Sequence, residues 1–267
     1  MSELLPPPAL TLHGVTAGYG GDPVLRDLEL ALPAGRLIGI LGPNGCGKST
    51  LLRVCCRLLV PDAGSVRLGG TPLDALRRGR ELARRIAMLP QNPVAPVGMT
   101  VLDLVARGRQ PHQPWCRQWG PGDEQAVADA MADTQVGELA DRPLDELSGG
   151  QRQRAWLAMA LAQQTDVVLL DEPIAHLDPA HAVEVLEVLV RLRRDAGKTI
   201  AVVLHDLNLA ARFTDHLVVM RSGSVQATGT PEEVLGAHLL ADVFGLDARV
   251  FPDPEWNRPV IVPASHA

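Results

Sequence analysis

The run Gly42-Pro43-Asn44-Gly45-Cys46-Gly47-Lys48-Ser49 has the spacing G-x-x-x-x-G-K-[ST]. Glycines at those positions let successive backbone N–H groups turn toward phosphate oxygens. A helix opening at Lys48 adds the positive end of its dipole. The Lys48 ammonium then reaches the β- and γ-phosphates, the Ser49 hydroxyl ligates Mg²⁺, and Thr50 brings a second hydroxyl near the α-phosphate. Lysine is scarce: Lys48 and Lys198 are the only two, against 23 arginines. That scarcity singles out Lys48, because an ammonium and a guanidinium are not interchangeable at a phosphate.

A second constellation is Val167-Val168-Leu169-Leu170-Asp171-Glu172. Four apolar residues form a buried strand, and two carboxylates follow at its carboxyl end, where α/β sheets place ligands. Asp171 is suited to holding Mg²⁺ directly or through water. Glu172 is suited to polarising an attacking water. Alone, such a segment reads as an ordinary strand and a solvated acidic turn; paired with the phosphate loop it reads as the second half of a nucleotide site.

The elements around these segments follow from the pattern. Leu10 to Leu32 alternates as short antiparallel strands broken by the turn Gly18–Pro23. A buried strand, Arg36–Leu41, leads into the phosphate loop, and the spacing predicts a helix Lys48–Leu59 ended by Pro61. Strands are expected at Ser65–Leu68 and Ile86–Leu89. Between Pro90 and Trp119 the chain is rich in Pro, Gly and Gln around one helix, Val101–Arg107, and an acidic amphipathic helix, Asp123–Thr134, comes next. Alternation resumes with helix Gln151–Ala162, strand Asp166–Leu170, helix Ala180–Arg194 and strand Thr199–Leu204. A hairpin, Leu217–Arg221 to Ser224–Ala227, turns at Ser222–Gly223. Strands alternating with helices predict a mostly parallel α/β sheet.

Composition closes off other classes. The 267 residues are 46% apolar and 21% charged, enough for a core and too apolar for wholesale disorder. A net charge of −6 argues against nucleic-acid binding driven by bulk charge. No apolar run reaches the ~20 residues of a spanning helix. The first eight residues lack the basic and apolar regions of a signal peptide, so the chain is expected to stay in the cytosol. Cys46, Cys55, Cys56 and Cys116 form no C-x-x-C pair, which argues against zinc and structural disulfides. Cys46, near a helix N-terminus and Lys48, is expected to favour thiolate, so that alkylation would block the nucleotide site and a bound Mg²⁺–nucleotide would protect.

Leu147-Ser148-Gly149-Gly150-Gln151 precedes the carboxylate strand and opens a helix. With the two motifs above, in that order, it makes the chain resemble the ATP-binding subunit of an ABC transporter over nearly its whole length. The resemblance implies a P-loop NTPase of the ABC ATPase type: a mostly parallel core sheet with an N-terminal antiparallel β subdomain and an inserted helical subdomain. It implies one ABC domain over 1–267, with 1–89 and 163–267 as nucleotide-binding core and 90–162 as helical subdomain. Position by position, it implies that Tyr19 stacks on adenine, Gln91 senses Mg²⁺ and relays the nucleotide state, and His205 contacts the γ-phosphate. Asp178, in Ala175-His176-Leu177-Asp178, belongs to a loop that crosses to a partner subunit. Ser148, Gly149, Gly150 and Gln151 act in trans, so two copies pair head to tail in an ATP-dependent homodimer. Ile174-Ala175 departs from the usual Thr-Ser or Thr-Thr.

With no spanning segment, the membrane part is expected on separate permease chains, as in importers, with this subunit peripheral on the cytoplasmic face and a substrate-binding protein reached only indirectly. The run Thr100-Val101-Leu102-Asp103-Leu104-Val105-Ala106-Arg107-Gly108-Arg109-Gln110-Pro111-His112, the stretch Arg152-Gln153-Arg154-Ala155-Trp156 and the tail Val243-Phe244-Gly245-Leu246 are similar to ferric-siderophore importer ATPases. Haem and cobalamin importers share much of this. A soluble ABC protein of translation or repair fits less well, because such chains usually carry two ATPase units or long basic additions. Val101–His112, with Trp115 and Trp119 exposed, is expected to receive the permease.

Overall fold

The computed structural model describes residues 8–77, 79–113, 119–175 and 177–264. Residues 1–7, Trp115, Cys116 and His176 therefore lie outside the described residues. In chain order the elements begin β1 (Pro8–Ala17), β2 (Leu25–Pro33), β3 (Leu37–Leu41), α1 (Lys48–Cys55), β4 (Ala63–Leu68) and β5 (Thr71–Pro72). They continue with α2 (Arg80–Ala83), β6 (Ile86–Leu89), α3 (Val101–Arg107), α4 (Pro121–Asp133), α5 (Gly149–Ala162), β7 (Val167–Leu170) and α6 (Pro179–Ala196). The chain ends through β8 (Thr199–Val203), α7 (Leu207–Phe213), β9 (His216–Arg221), β10 (Ser224–Gly229), α8 (Pro231–Val234), α9 (Ala237–Phe244), β11 (Ala248–Pro252) and β12 (Pro259–Pro263). Residues 1–73 with 199–267 form one compact unit, and 74–198 form another.

In the first unit β1 lies between β2 and β4, antiparallel to both, and β4 continues to β5. Leu10 and Leu12 of β1 face Leu32 and Leu30 of β2, and all four are buried, while Glu29 and Ala31 point to solvent. That period of two is what a sheet with one covered face requires. In contrast, β3 and β8 are buried at every residue, and β3 runs parallel to both β8 and β9. Two-sided burial removes the alternation. β9 and β10 form the expected hairpin, with Ser222 at φ 51° and Gly223 at φ 84° in its turn. After α9, β11 and β12 make a second hairpin. Asn208 of α7 fastens it, donating from Nδ2 to Ile261 O at 3.2 Å and accepting from Ile261 N–H at 2.8 Å.

One helix is shorter than its sequence predicts. α1 stops at Cys55, four residues before Leu59. Arg57 takes a left-handed φ of 58°, and the N–H groups of Leu58 and Leu59 both return to Arg53 O. Arg57 Nη1 donates to Leu73 O at 2.8 Å, which holds the turn. Leu58 and Val60 are exposed, so extending the helix over them would bury nothing.

In the second unit β6 and β7 are parallel, in register from Ile86↔Val167 to Leu89↔Leu170. α3, α5 and α6 each open on a side-chain cap, from Thr100, Ser148 and Asp178. α3, α4 and α5 pack on one another. A buried ion pair joins them: Arg109 Nε donates to Asp123 Oδ1 at 2.9 Å, and its Nη1 donates to Ala162 O at 2.8 Å and Gln164 Oε1 at 2.9 Å. Every charged atom of such a pair needs a partner once it is out of water.

Candidate functional site

In the first unit the phosphate loop joins β3 to α1. Gly42 has φ 150°, and a Cβ there would sit 2.3 Å from Met220 O, so only glycine fits. Gly47 caps α1 with no side-chain hydrogen bond. The start of α1 therefore carries no side-chain cap from Gly47, which suits a helix end that receives an anion. Lys48 is only 5% exposed, and its Nζ donates to Gly42 O at 2.8 Å and Pro43 O at 3.0 Å. Its ammonium is thereby folded over the loop crown.

Tyr19 lies in the β1–β2 turn with 57% of its surface exposed. Its hydroxyl is 3.4 Å from Thr50 Oγ1 and accepts from Arg53 Nη1 at 2.9 Å. An anchored hydroxyl on an exposed ring suits stacking against a flat base. His205 follows β8 and is exposed. Because β3 and β8 are parallel neighbours, the phosphate loop and His205 leave the same edge of the sheet.

Burial overturns one expectation. The Cys46 side chain is inside, and desolvation raises its thiol above the ordinary value by more than Lys48 and the backbone hydrogen bonds lower it. The thiol form is favoured, not the thiolate.

The second unit holds the carboxylates. β6 and β7 are parallel, and Gln91 and the pair Asp171-Glu172 follow their carboxyl ends. Asp171 is 3% exposed, with its N–H bonded to Leu89 O at 2.9 Å. Gln91 Nε2 donates to Glu172 Oε2 at 2.6 Å. Glu172 has φ 54°, a left-handed backbone that costs a non-glycine residue about 1–2 kcal/mol. Strain of this kind gathers at functional positions.

The chain's residues 25–175 match the family profile described as ABC transporter. It is 48% identical over 255 residues to the achromobactin transport ATP-binding protein CbrD of Dickeya dadantii (strain 3937), covering 96% of this chain and 94% of that one. The chain belongs to the ABC transporter family. To the ferric enterobactin transport ATP-binding protein FepC of Escherichia coli (strain K12), this ABC protein is 47% identical over 93% of its own length and 92% of the relative's. Among solved structures, it is similar to a dimeric ATP-binding cassette in a post-hydrolysis state bound to ADP and Pi, with a TM-score of 0.72, 27% identity, and 83% and 98% of the two chains covered. The chain is thus an ABC ATPase that binds ATP.

The ABC signature residues sit at the start of α5. Ser148 Oγ accepts from Gln151 N–H at 3.3 Å, and Gln151 Oε1 accepts from Ser148 N–H at 3.1 Å. This reciprocal cap leaves Ser148 and Gly149 exposed at the tip of the helix. Asp178 caps α6; its carboxylate is held low by the backbone N–H of His181 and then by that residue's ring.

Sequence reading missed one supporting residue of the ABC phosphate loop. Gly223 N–H donates to Cys46 O at 3.0 Å, and Gly223 O accepts from Arg26 N–H at 3.1 Å. The hairpin turn therefore braces the loop crown against the start of β2. The Ser222-Gly223 dipeptide marks a turn, but nothing local in sequence says what the turn touches.

Proposed function

We propose that this chain hydrolyses ATP to drive import of an iron–siderophore complex through separate membrane-spanning permease subunits. The observation that carries this reading is the identity over almost the full chain to transport ATP-binding proteins named for achromobactin and ferric enterobactin. ATP lies with its phosphates on the backbone of Gly42, Pro43, Asn44, Gly45, Cys46 and Gly47, and its adenine against Tyr19. Lys48 leaves the carbonyls of Gly42 and Pro43 for the β- and γ-phosphates. Thr50 steadies the α-phosphate, His205 the γ-phosphate. Glu172 polarises the attacking water, and Gln91 would be among the residues that hold Mg²⁺.

Ser49, Asp171 and Gln91 offer only oxygen ligands to Mg²⁺, which suits a hard cation. Among the described residues no group of three or more His, Cys, Asp or Glu side chains is placed to hold a metal. A small protein donor set of this kind would suit Mg²⁺, which commonly keeps water and phosphate oxygens among its ligands. When bound it neutralises charge on the phosphates.

Ser148, Gly149, Gly150, Gln151 and Asp178 serve the nucleotide of a second copy in a head-to-tail homodimer. Permease docking falls to the second unit. A groove of about 450 Å³ there is lined by Gln91, Val94, Val97, Arg152 and Trp156. Val94 and Val97 are 89% and 96% exposed, and Leu102 and Trp119 are also exposed. Apolar side chains held in water around a groove favour a protein partner. Among the described residues no helix is long and apolar enough to cross a membrane. The subunit works from the cytoplasmic face, bound peripherally to its permease.

The test is uptake of radiolabelled iron–siderophore by cells lacking this chain, complemented with wild type or Glu172→Gln. Restoration by wild type alone is expected. Uptake unaffected by loss of the chain would remove the siderophore and leave the ATPase, with haem and cobalamin next to test.

A further inference from the structure

The start of α5, at the signature glycines, lies against α6 and the residues just before it. A Cβ on Gly149 would lie 3.9 Å from Leu177 Cδ2, and one on Gly150 would meet the His181 ring at 3.1 Å. One turn further, Arg154 Nη1 donates to Glu184 Oε2 at 2.8 Å. His181 also faces the other way. Its backbone N–H donates to Asp178 Oδ1 at 3.0 Å, and its Nδ1 bonds Asp178 Oδ2. An ionised carboxylate only accepts, so this bond requires the proton on Nδ1. The ring thus fills the space that Gly150 leaves open while gripping the carboxylate of Asp178.

We propose that His181 is a positioning residue that ties Asp178 and the signature glycines into one rigid face. The inference rests on the reading above, in which both segments act on a second copy's nucleotide. His181 itself touches no substrate. Without its ring, Asp178 loses a side-chain bond and Gly150 loses the surface it packs on. The two segments then no longer reach the neighbouring nucleotide in a fixed relation, and small misplacements of this kind cost rate steeply. Binding of ATP by a single copy is untouched, because Tyr19, Lys48 and their loop do not depend on His181.

The test compares steady-state ATPase activity, binding of a fluorescent ATP analogue and Tm for a set of full-chain variants. His181→Ala is expected to lower kcat about tenfold with unchanged analogue Kd. His181→Asn, whose amide nitrogen stands where Nδ1 stood, is expected to recover most of that loss. Gly150→Ala places a methyl against the ring. Removing the ring relieves that collision, so Gly150→Ala/His181→Ala should be no slower than Gly150→Ala alone, a non-additive result. Wild-type kcat in His181→Ala, an equal loss in His181→Asn, or multiplicative losses in the double variant would each overturn the proposal. A lowered Tm in His181→Ala leaves His181→Asn to decide. Absence of ATP hydrolysis by wild type would instead overturn the functional reading beneath it.

Discussion

Gln91 donates its side-chain amide to Glu172 Oε2 across 2.6 Å, joining the ends of two parallel strands that lie 81 residues apart in sequence. The bond holds the glutamate on a backbone already in the left-handed region. Gln91→Glu replaces the donor with a second carboxylate at the same distance. Like charges that close repel, so kcat is expected to fall by about 10²-fold or more, the scale of general-base assistance. Gln91→Leu removes both the bond and the amide oxygen offered to Mg²⁺, so its kcat should fall as well. ATPase rates at saturating MgATP give both values, and wild-type kcat in either variant would refute the role.

Gly223→Ala forces a Cβ to within 2.1 Å of Val24 O at φ 84°. The turn must shift, and its bond to Cys46 O goes with it. A stability loss of about 1–3 kcal/mol is expected from backbone strain alone, together with a higher KM for ATP. Gly70→Ala is the comparison: φ is 79° but nothing lies within 4 Å. It carries the strain without the collision, so its KM should match wild type. Equal KM values in both variants would show that the turn does not support the loop.

Arg109 and Asp123 are both buried, and three acceptors surround the guanidinium. Removing one partner leaves a charge uncompensated in the interior. Arg109→Ala is expected to cost about 3–5 kcal/mol in urea unfolding. Arg109→Met with Asp123→Leu together should cost less than either single change. A single-variant cost of about 0–1 kcal/mol, the range of exposed pairs, would contradict the burial argument.

Burial pushes the Cys56 thiol up to about 11 from an ordinary 9.0, and also raises Cys46 and Cys55. Each group keeps its proton in the folded chain at a pH where the unfolded chain has lost it. The stabilisation is complete below the ordinary value and disappears as pH rises through the folded value. For Cys56 that window runs from 9.0 to about 11. Tm should decline across it, less steeply in Cys56→Ser. Identical slopes would exclude the thiol. Cys46 should also resist alkylation near neutral pH until the chain unfolds.

Much of the fold is legible because its signals are local. The all-apolar runs of β3, β7 and β8, the glycine-rich loop after β3 and the turn dipeptide Ser222-Gly223 lie within a few residues of the structure they specify. The short elements α7, α8 and α9 and the hairpin β11–β12 are not announced. None of the three helices exceeds eight residues, too few for a period to stand out, and Asn208 secures the hairpin through a bond distant in sequence. The end of α1 differs from its sequence signal for a related reason: Pro61 marks a stop, but the bond from Arg57 to Leu73 O accompanies an earlier one.

By itself the sequence determined which groups are proposed for phosphate chemistry: Lys48, Ser49, Asp171, Glu172 and the signature run. Their spacing is written into contiguous strand–loop–helix segments, where backbone geometry leaves little freedom. Only the tertiary structure decided how those groups are held. It set Gln91 on Glu172, Gly223 under Cys46 and His181 between Asp178 and Gly150, and it reversed the expected ionisation of Cys46. Each depends on what packs alongside from far along the chain, and desolvation and long-range hydrogen bonding have no local signature in sequence.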